Sequence, residues 1–307
     1  MLNLSEGAVQ IQSRKSGVTL NRCCSPEQDP GGIWQVGQVS NRSESAKLGC
    51  AKRKPMKIRS YLRCAVTGCT LLTMLAAQEH RNEHPWDYGA SKGPSHWGDL
   101  KPEYTQCKNG HRQSPIDIRD TQKADLPAIE FAYKPSPLRI IDNGHTIMVN
   151  YAPGSFISVN GRRYELKQFH FHRPSEEKIG GKGYDMVVHL VHGDKEGNLA
   201  VVAVLIQRGD SNALVQKLWS DLPKEKEKEE DHDGVSINAA DLLPADLGYY
   251  TFPGSLTTPP CTEAVTWFIL KRPITVSAGE TERFARLYAD NARPTQPVYD
   301  RPVLESK

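Results

Sequence analysis

Gln168-Phe169-His170-Phe171-His172 and Val187-Val188-His189-Leu190-Val191 are the two stretches whose reading decides this chain. Side chains of an extended segment alternate between faces. His170 and His172 therefore share one face with Gln168, while Phe169 and Phe171 take the other. On the second stretch Val187, His189 and Val191 share a face in the same way. If the two segments neighbour one another in a sheet, three imidazoles converge. Three nitrogen ligands leave one tetrahedral position open, which is the arrangement of a catalytic zinc ion rather than a structural one.

Around these stretches, short strand-like runs recur, separated by Gly, Pro and Asn. Residues 138–151 (LRIIDNGHTIMVNY) read as two strands about Asn143-Gly144, a hairpin signal. Residues 156–159 and 164–172 follow, split by Asn160-Gly161. Residues 186–192 and 199–207 are apolar enough for buried central strands, and 264–270 (AVTWFIL) form another. Helical pattern is confined to 213–222 and to 278–289, where Ser277 is the expected N-cap. The charge run 224–233 (KEKEKEEDHD) is expected to be a solvated loop. The fold class is mostly β (α+β), a single domain around a large, mainly antiparallel sheet with a few short surface helices.

Hydrophobic residues make up 38% of the 307 residues and charged residues 24%, a soluble globular balance. The net charge of +3 divides unevenly. Residues 1–77 hold 11 Lys/Arg against 4 Asp/Glu, and the remainder holds 28 against 32. A mildly acidic body argues against a nucleic-acid partner. Residues 56–63 are basic, 64–77 (CAVTGCTLLTMLAA) are uncharged and mostly apolar, and Ala76-Ala77 close the run. That is the layout of a signal peptide over 56–77, too short for a stable membrane span. It implies an exported protein, periplasmic or secreted, whose folded domain occupies 78–307. Residues 1–55 lack periodic apolar pattern and are expected to be a non-native or disordered extension, with translation starting at Met56. Five of the 7 cysteines lie in this leader. Cys107 and Cys261 remain, and an exported domain with two cysteines suggests one disulfide; two buried free thiols are the alternative.

Further runs follow in order: Trp86-Asp87-Tyr88-Gly89, Gly93-Pro94-Ser95-His96-Trp97, Gln113-Ser114-Pro115-Ile116-Asp117-Ile118, Asn143-Gly144-His145, Gly254-Ser255-Leu256-Thr257-Thr258-Pro259-Pro260-Cys261 and Asn291-Ala292-Arg293-Pro294-Thr295-Gln296-Pro297. With the two histidine stretches, this ordered set resembles the alpha-class carbonic anhydrases in their bacterial exported form, over nearly all of residues 84–304. The resemblance implies cis peptides at Ser114-Pro115 and Pro259-Pro260. It implies a zinc enzyme that hydrates carbon dioxide reversibly to bicarbonate and a proton, by attack of zinc-bound hydroxide. The metal ligands would be His170, His172 and His189, with Gln168 holding His170. Thr257 would orient the hydroxide and donate its own hydrogen to Glu176. His145 would shuttle protons, since an ordinary imidazole titrates near ~6.5 and a turn makes mobility easy. Val191, Val201, Leu256, Thr258, Val265 and Trp267 would line the pocket for CO2. The oligomeric state stays open, a homodimer included.

Three positions depart from the family pattern. Val187 stands where a Glu usually supports the third histidine, so another group, such as a backbone carbonyl, must orient His189. Glu177 follows Glu176 where a His is common. Met148 occupies a position that is usually polar. Two other readings compete. His170, His172, Glu176 and Gly183 fit much of a cupin's first motif, but no second motif with a further histidine follows Pro253-Gly254. A carbonic anhydrase-like module used only for binding would typically have lost ligands that are present here.

Overall fold

The computed structural model describes residues 84–307. The expected extension 1–55 and signal 56–77 lie outside the described residues. Among the described residues, no helix is long and apolar enough to cross a membrane.

The helices are short: α1 (Trp97–Leu100), α2 (Gln106–Asn109), α3 (Ala213–Ser220) and α4 (Ala278–Ala285). The strands are β1 (Asp117–Ile118), β2 (Gln122–Ala124), β3 (Glu130–Ala132), β4 (Ser136–Asp142), β5 (Ile147–Asn150), β6 (Phe156–Val159), β7 (Arg162–His172), β8 (Lys178–Ile179), β9 (Met186–Gly193), β10 (Leu199–Arg208), β11 (Glu229–Ile237), β12 (Tyr249–Ser255), β13 (Glu263–Val276) and β14 (Leu304–Ser306). One 12-stranded sheet runs β11-β4-β5-β7-β9-β10-β13-β12-β14-β2, with β6 and β3 attached beside β7. Pairing is antiparallel except at β10–β13 and β14–β2. A separate two-stranded pair joins β1 to β8.

The sheet separates two apolar cores. Behind it, Phe169, Phe171, Leu190, Val202 and Phe268 pack with Leu214, Leu218 and Trp219 of α3 and Phe284 of α4. In front, Val187, Val201, Ala203, Val265, Trp267 and Ile269 pack with Ile116, Ile118, Phe252 and Val303. The alternation of Phe and His along β7 is thus a division of labour. Phe171 is fully buried, 5.0 Å from Trp219 by ring centroid, and its truncation to Ala would cost about 3–5 kcal/mol. A register shift between Leu166 and Gln168 leaves Lys167 unpaired in the β7–β9 ladder. That extra residue re-phases the strand, so Leu166 and Phe169 face the rear core while Gln168, His170 and His172 face forward.

Helix ends follow local chemistry. Asn212 caps α3 by accepting from the N–H groups of Leu214 and Val215. Ser277 caps α4 and forms a capping box with Glu280. Helix α4 stops at Ala285, short of the expected 289, because the chain turns to tie Tyr288 to Asp142 and bring Asn291 to the site. The charge run is corrected more substantially. From Glu229 it is a strand pairing with β4, since its alternate residues are half-buried and Glu229 and Asp231 meet Arg139. Cis peptides occur at Ser114-Pro115 and Pro259-Pro260, and also at Arg173-Pro174. Cys107 and Cys261 form a disulfide that closes a separation of 154 residues.

His192, three residues after His189, falls on the rear face and is fully buried. Its Nδ1–H donates to the Ala200 carbonyl, leaving Nε2 to accept from Tyr133 Oη at 2.8 Å. Burial pushes this imidazole down to about 3, against the opposing pull of the carbonyls of Ala200 and Leu190. An unfolded chain takes that proton near pH ~6.5, whereas the fold refuses it until far lower. Stability attributable to His192 is therefore present above pH ~6.5 and lost on acidification below it. Two stability predictions follow from this architecture. Denaturant titrations of His192→Phe should show a shallower loss of stability between neutral and acidic pH than wild type, by up to about 1.4 kcal/mol per pH unit. Replacing Cys107 and Cys261 together by Ser should cost about 5 kcal/mol of unfolding free energy by loop-closure entropy.

Candidate metal centre

β7 and β9 pair so that His170 lies directly opposite His189, and His172 opposite Val187. The row continues to Met148 of β5 on one side and Ala203 of β10 on the other. The next row runs Gln168, Val191, Val201, Trp267 and Phe252. Register alone therefore brings the histidines together on the forward face. One ligand atom from each of His170, His172 and His189 lies within 4.8 Å of the others, a span a single ion can bridge. His172 and His189 are 1% exposed.

The outer nitrogen of each ring is occupied. Gln168 Oε1 sits 2.8 Å from His170 Nδ1. The Asn291 carbonyl oxygen sits 2.8 Å from His172 Nδ1. The Glu177 carboxylate oxygens sit 3.0 and 3.3 Å from His189 Nε2. Each of these partners is an acceptor, so each outer nitrogen bears the hydrogen. The lone pairs remaining are Nε2 of His170, Nε2 of His172 and Nδ1 of His189, turned toward one another. His172 Nε2 is buried without a hydrogen-bond partner, an arrangement that costs free energy unless something binds there. Burial depresses all three imidazoles, and neighbouring histidine charges depress His170 and His189 further. At neutral pH the rings are neutral, which is the ligating form.

Two adjacent carboxylates are buried beside them. Glu176 is 1% exposed and Glu177 fully buried. Burial and the Glu177 charge raise Glu176 well above the usual carboxylate range, while the Arg293 N–H at 2.8 Å and the Thr257 hydroxyl pull it back. Burial lifts Glu177 to about 7, against hydrogen bonding and the His172 charge. The Arg293 guanidinium hydrogen-bonds Gln113, Ser114 and Cys107 instead of either carboxylate. A divalent cation among the three imidazoles would offset this buried negative charge. The donor set of three neutral nitrogens suits zinc.

Glu177 answers the question raised by Val187. The group holding His189 is not a backbone carbonyl but this side chain, delivered from the loop after β7. Val187 packs in the forward apolar core. Asn291 was missed by sequence reasoning. Its carbonyl meets His172, its Oδ1 accepts from the Arg173 N–H, and its amide donates to the carbonyls of His145 and Phe171. The partnership with His172 spans 119 residues, and nothing in local spacing signals it.

Thr257 and Thr258 lie in the loop after β12, held by Leu256 N–H to the Thr262 carbonyl and Cys261 N–H to the Thr258 carbonyl. The disulfide to Cys107 pins the end of that loop. Val191, Val201, Leu256, Val265 and Trp267 belong to the forward apolar cluster, with Val191 and Leu256 only partly buried. His145 lies in the turn between β4 and β5 and is not the loose imidazole expected there. Its ring stacks on Trp86 at 3.6 Å and meets His84 edge-on at 4.4 Å. Burial, and then the charge of His84, lower it to about 4.

The sequence profile of the eukaryotic-type carbonic anhydrases matches residues 92–307. The chain belongs to the alpha carbonic anhydrase family. It is an enzyme of that class. A carbonic anhydrase of Nostoc sp. is 37% identical over 255 residues, covering 81% of this chain and 97% of the relative. One from Neisseria gonorrhoeae is 42% identical over 239 residues, 76% of this chain and 92% of the relative. Among solved structures, the alpha carbonic anhydrase of Thermovibrio ammonificans in complex with the inhibitor sulfanilamide superposes with a TM-score of 0.69 at 43% identity. It covers 71% of this chain and 98% of its own. Membership implies CO2 hydration, typically zinc-dependent, and excludes the cupin reading.

Removing the Glu177 charge while keeping its shape tests the geometry directly. Glu177→Gln should speed zinc loss to a chelator, weakening affinity roughly 10- to 100-fold. Zinc release with unchanged rate and affinity would contradict the assigned support.

Proposed function

We propose that this chain is a zinc metalloenzyme that interconverts carbon dioxide and bicarbonate, with His170, His172 and His189 holding the ion. The observation that carries this reading is the convergence of three neutral, back-bonded imidazoles on one point beside two buried carboxylates. Zinc bound there supplies a nucleophilic oxygen at neutral pH, as the general chemistry of this metal in carbonic anhydrase describes.

The chain's own residues do the rest. Gln168, Asn291 and Glu177 keep each ring in one tautomer and one orientation. Thr257 donates its hydrogen to Glu176, leaving its oxygen free only to accept. A ligand at the site that carries a proton would therefore be favoured over one that does not. Val191, Val201, Leu256, Thr258, Val265 and Trp267 would border the substrate, and their largely apolar surface suits an uncharged, poorly hydrated gas. His145 would carry protons between the site and solvent. The basic-then-apolar stretch 56–77 and the Cys107–Cys261 disulfide support export to the periplasm or outside the cell, with 78–307 as the catalytic domain.

Stopped-flow CO2 hydration and metal analysis, on protein beginning near Gln78, test the assignment. One zinc per chain and activity abolished by chelation, then restored by zinc, are expected. Stoichiometric zinc with no hydration would favour a module used only for binding. Thr257→Val should lower kcat/KM roughly 10- to 100-fold, the worth of a hydrogen bond to a charged group.

A further inference from the structure

The charge run 224–233 returns to the site from an unexpected direction. Glu227 adopts a left-handed backbone (φ 62°), and its N–H donates to the Asp142 carbonyl just before the turn that carries His145. Its carboxylate then lies 2.7 Å from His84 Nε2. His84 meets the His145 ring edge-on at 4.4 Å, while Trp86 stacks on that ring at 3.6 Å. Gly144 makes this approach possible. A Cβ there would lie 2.1 Å from His84 Nε2, and its φ of +82° also favours glycine. The side chains of His84 and Glu227 are 32% and 37% exposed, so the line of groups leads from a half-buried imidazole outward to water.

We propose that His84 and Glu227 are the outer half of a proton relay, His84 taking a proton from His145 and Glu227 passing one to solvent buffer. This rests on the CO2-hydration reading of the same site. The balance is simple. The His145 imidazolium loses an N–H proton, directly or through one water, to His84 Nδ1. The Nε2–H of His84 leaves to the Glu227 carboxylate, which releases it to buffer. His84 is left neutral in its other tautomer and resets by ring rotation or exchange with water. No oxidant, reductant or additional reactant is needed.

Electrostatics point the same way. His145, lowered to about 4 by burial and then by the charge of His84, holds a proton weakly, so a proton it receives passes readily to an acceptor beside it. The charged and titratable groups around it are His84 and Lys226, which repel its proton, and Asp87 and Glu227, which attract it. The His84 carbonyl also accepts from Lys92 Nζ at 3.5 Å, which ties the segment to the domain.

A structural clasp between the N-terminal segment and the charge run would show the same contacts, so the test separates rate from structure. CO2 hydration by zinc-loaded His84→Ala, His84→Gln and Glu227→Gln is measured in weak and in concentrated imidazole buffer. The relay predicts that kcat in weak buffer falls several-fold in each variant, recovers in concentrated imidazole, and leaves kcat/KM unchanged. It also predicts that the ring NMR signals of His145 titrate at higher pH in His84→Ala, since a repelling neighbour is gone. Wild-type kcat in weak buffer for the His84 variants overturns the relay, as does an equal fall in kcat and kcat/KM. Wild-type kcat for Glu227→Gln alone overturns the carboxylate's part. If zinc-loaded wild type fails to hydrate CO2, the functional reading itself has failed, and the NMR titration still reports whether the two rings are coupled.

Discussion

Burying three neutral imidazoles on one face of a sheet is the constraint from which the rest of this structure follows. An imidazole out of water needs both nitrogens satisfied, and here one nitrogen of each ring is turned inward. The outward nitrogens are met by an amide oxygen, a backbone carbonyl and a carboxylate. These come from the same strand as His170, from a loop 119 residues beyond His172, and from the loop directly after β7. Each partner settles a tautomer, and the tautomers together decide which lone pairs point at the centre. Burial raises both adjacent carboxyl groups above the usual carboxylate range, and a small cation beside them would restore their charge, so the pocket is matched to a cation rather than to a neutral ligand.

The sheet makes that arrangement rigid. Phe169 and Phe171 anchor β7 into the rear core, with α3 and α4 closing over them, so the histidine between them has little freedom to swing. The forward core, built from Val187, Val201, Val265, Trp267 and their neighbours, is both the floor beneath the centre and an apolar wall beside it. The unpaired Lys167 is what lets Leu166 face the rear core while Gln168, two residues on, faces forward. Without the bulge, the residues before and after it would stay in phase, and Gln168, His170 and His172 would share the rear face with Leu166. The disulfide has an analogous role for the Thr257 loop, which it fastens to α2.

The strand pairs and the histidine triad were legible because period-two alternation is a local signal, and Gln168, His170, His172, Val187, His189 and Val191 each announce a face. The hairpin at Asn143-Gly144 was legible for the same reason. Two of the three supports were not. Asn291 acts through its backbone carbonyl, which no residue type advertises, and Glu177 acts by folding back from a loop to a ring twelve residues ahead. Glu176 was named through the family resemblance alone, because burial is a property of the assembled sheet and local spacing does not signal it. The charge run misled by composition: Glu229 and Asp231 are tolerated in a strand because Arg139 on β4 meets them. His145 misled because an imidazole in a turn is ordinarily mobile, whereas Trp86 and His84 arrive from a segment some sixty residues earlier to enclose it.

The central claim is one zinc ion held by nitrogen from His170, His172 and His189, its remaining coordination position taken by solvent. X-ray absorption at the zinc edge, on enzyme purified without added metal, measures this most directly. The account predicts a four-coordinate zinc with three imidazole ligands at about 2.0–2.1 Å, one further light atom and no sulfur. A shell containing sulfur, a protein carboxylate in place of an imidazole, or protein that holds no zinc would contradict it.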